Sequence, residues 1–359
     1  MIDTLVFSVT HDCPVSCKYC VTRSGPHKGP FLDAGFMKEA IESADSLFHL
    51  ELVVFTGGEP LLKKRNVEKA VRFAKARKIW TRVVTNAFWA GTPDKANEVI
   101  GSLKEAGLGE INFSCDDLHQ EHIPLENIRN AFWAAKRVEL PILIAHKYVV
   151  NTRITPKHLS RFLGVRLREF KEGKRSKSGH DLYCSSLTVP VGNGVEDLDE
   201  TGYILYPSSA KAWAAPCSSV LSEIVISPEK ELRICCGMIE QDVPEINAGK
   251  WDSSRLSELI CNANTDLIAN WLALEGPYGM KEFIQGKDPS IRFKDHYVNH
   301  CHLCNDILTR PETRAVLARF AEEKSGELTL RRGMLEAIRY KQKRKRGTVP
   351  FSNCRNILL

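Results

Sequence analysis

Cys13, Cys17 and Cys20 stand in a Cys-x3-Cys-x2-Cys arrangement, CPVSCKYC, directly after a short apolar run. Thiolates suit iron–sulfur clusters, and a closed cubane cluster takes four of them. Three on one tight loop leave one iron open, as an open position marks a catalytic rather than a structural metal site. A zinc knuckle or chance spacing is the plainer reading of the same triad. The balance shifts with FTGGEPLL, one strand–helix unit later, where Gly57, Gly58, Glu59 and Pro60 follow a second apolar run. Paired glycines let a ligand approach backbone N–H and C=O groups, and Glu59 offers a negative charge to a cationic group. Alone, that loop reads as a turn.

Further polar candidates end later apolar runs: Asn86 in Thr85-Asn86, Ser114 and Asp116 in FSCDDLHQ, Lys147 in the fifth run, and Gly192 in VPVGNG. As bare residues, Ser114 and Asp116 serve equally as loop caps. The chain has 12 cysteines. Thiols stay reduced in the cytosol, so metal or redox chemistry is expected of them rather than a disulfide framework. A second set, Cys217, Cys235, Cys236, Cys301 and Cys304, gathers in the C-terminal half. A closed cubane needs four of these five thiols, which leaves one over. Cys115, Cys184, Cys261 and Cys354 read as structural, since free cysteine is among the most buried residues. The alternative is that Cys184 and Cys261 complete a second auxiliary cluster. His296, His300 and His302, around CHLC, are expected to give polar cover to cluster sulfurs.

The cysteine triad after the first strand, an aromatic at Tyr19 and GGEP after the second strand together resemble the radical S-adenosylmethionine (SAM) superfamily over about the first 200 residues. The resemblance implies that Cys13, Cys17 and Cys20 bind three irons of a 4Fe-4S cluster while SAM chelates the fourth. It further implies that the Gly57–Pro60 loop receives the SAM amino group, that the backbone around Tyr19 lies near the adenine, and that Asn86, Ser114, Asp116, Lys147 and Gly192 are cofactor contacts. Where many relatives carry arginine after that glycine, this chain has Asn193. The second cysteine set resembles the auxiliary-cluster (SPASM or twitch) modules of peptide-modifying members, with one auxiliary 4Fe-4S cluster on Cys217, Cys235, Cys301 and Cys304. RICCG followed by CHLC, with TNAFWAG and SCDDLHQ, is similar to radical SAM peptide epimerases, which implies Cys236 as hydrogen-atom donor. Spacing does not say which of Cys235 and Cys236 is free. The implied function is maturation of a ribosomal precursor peptide by L-to-D epimerisation at Cα, fed by a flavodoxin- or ferredoxin-type reductant. Radical crosslinking or oxidation is the alternative outcome, and a non-catalytic iron–sulfur electron carrier the alternative class.

Candidate strands lie at 4–9, 52–56, 81–85, 111–115, 141–150 and 186–191, with amphipathic segments between them. Asp33, Thr92 and Glu126 mark helix starts and Gly107 a helix stop. This alternation predicts a parallel sheet with right-handed crossovers, a partial (β/α)6 barrel with its chemistry at the strands' C-terminal ends. EIVISPEKELRIC predicts a hairpin turning at 227–230. The expected organisation is a barrel over 1–200, an auxiliary-cluster module over 201–310, and C-terminal helices with a basic tail over 311–359. Composition, 43% hydrophobic and 26% charged, suits a soluble globular chain. No apolar run spans a membrane, and the start lacks the features of a signal peptide, so a cytoplasmic location is expected. The basic clusters at Lys171–His180 and 339–347 read as solvated surface or as a docking face for an acidic peptide or polyanion. A nucleic-acid partner is not the expectation. A leader peptide is expected to dock on the barrel, the C-terminal helices or a separate protein.

Overall fold

The computed structural model describes residues 2–170, 181–197, 202–208, 214–235 and 243–334. The first five apolar runs form β1 (Thr4–Ser8), β2 (Leu52–Thr56), β3 (Trp80–Thr85), β4 (Glu110–Ser114) and β5 (Ile142–Tyr148). Between and after them lie α1 (Ala34–Phe48), α2 (Lys64–Ala76), α3 (Pro93–Ala106), α4 (Leu125–Arg137) and α5 (Pro156–Leu163). Three of these helices begin where a side chain satisfies a first amide: Asp33 accepts from Phe36, Thr92 from Lys95 and Thr155 from His158. Helix α3 stops at Gly107, whose φ of 91° is left-handed.

Strand residues alternate between two environments, as a period of two requires. Phe7, Phe55, Val83 and Phe113 pack into the core shared with the helices, whereas Val6, Val54, Val84 and Val225 form a separate apolar layer. Phe7 and Phe55 stack with ring centroids 5.7 Å apart. Each such buried ring stabilises the sheet by about 2–3 kcal/mol.

The sixth major strand, β7 (Leu182–Leu187), lies four residues before the expected 186–191. Its register with β5 runs from Leu143↔Leu182 to Tyr148↔Leu187. Pro190 has no N–H for a ladder, and Val191 turns back to donate to Val189, so the segment after Leu187 is a loop. A two-residue strand, β6 (Arg168–Glu169), pairs outside β7. The hairpin forms as expected from β9 (Glu223–Ile226) and β10 (Glu231–Arg233), and β9 pairs in parallel with β1. With β11 (Asn247–Lys250) the sheet order is β11-β10-β9-β1-β2-β3-β4-β5-β7-β6, parallel from β9 to β6. It stays open, with β11 and β6 as its edges.

Short α6 (Gly194–Asp197) follows β7, and β8 (Tyr206–Pro207) pairs with β12 (His296–Tyr297). Helices α7 (Leu256–Thr265), α8 (Leu267–Leu274), α9 (Gly276–Lys287), α10 (His300–Thr309) and α11 (Pro311–Phe320) follow, and residues 325–334 are helical as well. Residues of α8 to α11 enclose a second core around Trp271 and Tyr297, which Val189 and Val191 join from the loop after β7. Among the described residues no helix is long and apolar enough to cross a membrane.

Candidate functional site

The loop after β1 carries the three thiols. Cys13 and Cys17 are buried, and Cys20 is half-buried. They line one cavity at the C-terminal ends of the parallel strands, together with Tyr19, Gly57, Gly58, Asn86, Ser114, Asp116 and Lys147. Burial, with the Glu59 charge next, pushes the Cys13 thiol up to about 12, and burial raises Cys17 as well. Such thiols are protonated at neutral pH until a metal cation replaces the proton. No three of His, Cys, Asp and Glu among the described residues converge as on a single metal ion. A cluster, whose cysteines bind separate irons, asks for no such convergence. Three thiols beside an open cavity fit a cubane with one iron left for another ligand.

The glycine loop meets the cysteine loop through its backbone. Gly58 N–H donates to Thr10 O (2.6 Å) and Glu59 N–H to Asp12 O (2.8 Å). A Cβ at Gly58 would lie 2.2 Å from Asp12 O, so only glycine allows this approach. With these N–H groups spent on the cysteine loop, carbonyls are what the loop can offer, and carbonyls suit an ammonium group.

Glu59 behaves differently from the sequence expectation of a charge presented to a ligand. Its side chain is fully buried, and neither Glu59 nor Pro60 lines the cavity. One carboxylate oxygen accepts from Leu61 N–H (3.0 Å) and Thr85 Oγ1 (2.9 Å), the other from Asn86 N–H (3.0 Å). Burial pushes this carboxyl up to about 7 against the pull of those hydrogen bonds. Glu59 therefore braces the end of β2 to the end of β3.

Asp116 is a hub as well as a cavity wall. It accepts from the N–H groups of Leu118 and His119, pairs with His119 Nδ1 at 2.9 Å, and receives Tyr19 Oη at 3.3 Å. Burial raises its pKa, but the His119 charge and hydrogen bonds outweigh burial and hold the carboxyl low. Tyr19 Oη also lies 2.6 Å from His119 Nδ1, and Lys147 Nζ stands 5.8 Å from the centre of the Tyr19 ring. The aromatic between two thiols is thus tied to the β4 loop. Gly192 does not line the cavity. At φ 59° it packs against the cysteine loop, where a Cβ would lie 2.3 Å from Cys20 O.

Residues beyond the expected cofactor contacts complete the frame. Asn193 donates from its side chain to Cys17 O (3.2 Å) and from its backbone to Cys20 O (3.0 Å). Ser24 N–H donates to Cys20 Sγ (3.2 Å), and His119 and His146 face the same cavity. The sequence marks Asn193 as a departure from the arginine of many relatives, but says nothing of its bonds to the cysteine loop.

A second cavity, of about 160 Å³, brings together Cys217, Cys235, Cys301 and Cys304 with Asn299 and His300. Cys301 and Cys304 sit in the first two turns of α10, capped by Asn299, whose side chain accepts from Cys301 N–H and His302 N–H. Four thiols around one cavity fit a closed cluster. His302 does not line the cavity: its Nδ1 accepts from Val298 N–H, and burial pushes it down to about 4. Cys115 is fully buried in the core, Cys184 packs near Leu143 and Ala145, and Cys261 is exposed on α7, so none joins either cavity. Cys236, Cys354 and the two basic clusters lie outside the described residues.

Residues 7–148 match the model of the Radical SAM superfamily. A GTP 3',8-cyclase of Listeria welshimeri is 33% identical over 127 residues, covering 33% of this chain and 35% of that protein. A PqqA peptide cyclase of Xanthomonas campestris pv. campestris is 28% identical over 119 residues, covering 32% of this chain and 29% of that protein. The chain spans about a third of the length of the curated relatives it matches. A solved structure, "Native anSMEcpe with bound AdoMet", superposes with a TM-score of 0.51 at 12% identity, covering 91% of this chain and 100% of that one. That likeness is one of fold.

Proposed function

Residues 7–148 are a radical SAM domain, and from that premise we propose that the chain is a radical SAM enzyme that modifies a peptide, inverting a Cα centre from L to D. The observation that carries the radical SAM half is the single cavity shared by Cys13, Cys17, Cys20, Gly57 and Gly58. When bound, the cluster and SAM supply a 5′-deoxyadenosyl radical able to take a hydrogen atom from an unactivated C–H bond. In this reading Cys13, Cys17 and Cys20 hold the cluster. The Gly57 and Gly58 carbonyls receive the SAM ammonium, and Tyr19, fixed by His119 and Asp116, bounds the adenine. Asn86, Ser114 and Lys147 are cofactor contacts, and the walls exclude water and stray hydrogen donors.

Peptide chemistry is supported by the PqqA peptide cyclase relatives. GTP 3',8-cyclases match over a similar share of this chain, so that share does not discriminate between substrates. Epimerisation is supported by the cysteine arithmetic of the second cavity. Cys217, Cys235, Cys301 and Cys304 line it, in keeping with an auxiliary cluster, and the adjacent Cys236 is then the thiol left over. As donor, Cys236 gives its S–H hydrogen atom to the substrate radical, forming the new C–H bond. The thiyl radical then takes one electron from an external reductant of flavodoxin or ferredoxin type and one proton from solvent. The domain reading that follows is a barrel over 1–200, an auxiliary-cluster module over 201–310 and C-terminal helices over 311–359.

Two measurements test this. Reduced, reconstituted protein is expected to cleave SAM; failure to do so returns the chain to the class of iron–sulfur electron carriers. With a precursor peptide in D₂O, one deuterium is expected at one Cα per turnover, and Cys236→Ala is expected to abolish that uptake. A product mass change beyond label uptake would replace inversion by crosslinking or oxidation.

A further inference from the structure

Asn86 carries an arrangement that contact with SAM does not explain. Its side-chain Nδ2 donates to Cys13 Sγ at 3.5 Å, from the end of β3 to the loop after β1. The amide cannot turn over at no cost, because its Oδ1 accepts from Phe88 N–H at 2.9 Å, which leaves Nδ2 as the end facing sulfur. Its backbone N–H is held by Glu59, and Thr85 Oγ1 binds the same carboxylate. The next residue, Ala87, is fully buried at φ 59°, a left-handed conformation that costs a non-glycine residue about 1–2 kcal/mol. Asn127 from α4 donates to the carbonyls of Ala87 and Phe88, pinning the turn from outside. Asn86 itself is only 6% exposed.

The polar neighbours of the Cys20 sulfur come from its own loop: Ser24 N–H donates to it, and the Thr22 hydroxyl lies 3.4 Å away. The donor to Cys13 instead comes from a different strand, held by a carboxylate on a third loop. We propose that Asn86 is a positioning residue that sets the reduction potential of the cluster held by Cys13, by hydrogen-bonding its thiolate, and that Glu59 acts on that sulfur through Asn86. This rests on the reading of Cys13, Cys17 and Cys20 as cluster ligands. An N–H donor draws charge from a ligating thiolate and so favours the more negative, reduced cluster. Removing the donor makes the cluster harder to reduce.

The test uses full-length reconstituted protein carrying Asn86→Leu, which keeps the volume without the donor, and Asn86→Asp, which keeps the shape but faces sulfur with an acceptor. Cluster midpoints are read by redox titration followed by electron paramagnetic resonance, with iron and sulfide assayed in parallel. In Asn86→Leu the reduced-to-oxidised ratio at a fixed potential is expected to fall about tenfold, the scale of one hydrogen bond to a charged group. In Asn86→Asp it is expected to fall further, with iron content close to wild type in at least one variant. An unchanged midpoint in an iron-loaded variant overturns the proposal. So does loss of iron from both variants, which would make Asn86 a brace for the loop and no more. A wild-type chain that takes up no cluster would sink the ligand reading itself, whereas a wild-type cluster with unmoved variant midpoints sinks only this inference.

Discussion

The carboxyl of Glu59 is held near pH 7 against an ordinary value of 4.5, and the sign of its effect on folding follows. A raised folded-state pKa contributes stability that is full below about 4.5 and is lost as the pH climbs through 7. Replacing Glu59 by Gln removes that slope. The stability of wild type relative to Glu59→Gln is therefore expected to fall between pH 5 and pH 7.5 and then level off, as read by urea unfolding of iron-free protein. A flat difference across that range would mean that Glu59 does not titrate there. This residue also marks how far the sequence could be read. GGEP identified the loop, because the need for glycine is a backbone property that a motif records. The direction of one carboxylate is not, since it depends on Thr85 and Asn86, which reach Glu59 only once β2 and β3 pair. That Cys13, Cys17 and Cys20 share one loop and one cavity was legible for the opposite reason: it follows from residue type and local spacing.

At the scale of elements, the cysteine loop is shaped by what leans on it, and glycine decides how closely. Gly192→Ala puts a methyl group where Cys20 O stands and adds a left-handed alanine, so a loss of more than about 2 kcal/mol and a fall in bound iron are expected. Gly101→Ala is the matched control. Gly101 lies in α3 with nothing near its missing Cβ, and alanine there is expected to raise stability by about 0.5–1 kcal/mol. Thermal melts with an iron assay separate the two; equal effects would show that the approach of Gly192 to Cys20 matters little. The first five strands and the starts of α1 and α3 were legible, because short apolar runs and Asp or Thr caps are local signals. The sixth strand was misplaced because Thr188, Val189 and Val191 have strand-like side chains, while beyond Thr188 the chain turns at Pro190, with Val191 donating back to Val189. The parallel pairing of β9 with β1 was not legible at all. A hairpin's own sequence records its turn and nothing of the strand it will join.

At the scale of the whole molecule, Glu275 ties the segment after α11 to the second core. Its carboxylate receives Trp271 Nε1 (2.8 Å), Lys324 Nζ (3.1 Å) and Arg331 Nη1 (2.5 Å) at 15% side-chain exposure. Glu275→Gln is expected to cost about 1–3 kcal/mol and to speed hydrogen exchange in residues 321–334 before the sheet is affected. Uniform exchange across both cores would argue against so local a tie. The position of β1 between β2 and β9 has a further consequence, for the order in which the chain is made. The strand that leads into Cys13 gains its second neighbour only when Ile226 has been synthesised, more than two hundred residues after Ser8. At roughly 5–20 residues per second, that edge faces the ribosome's surroundings for about 10–40 seconds. A nascent chain in that interval presents a strand with one bare edge beside three thiols.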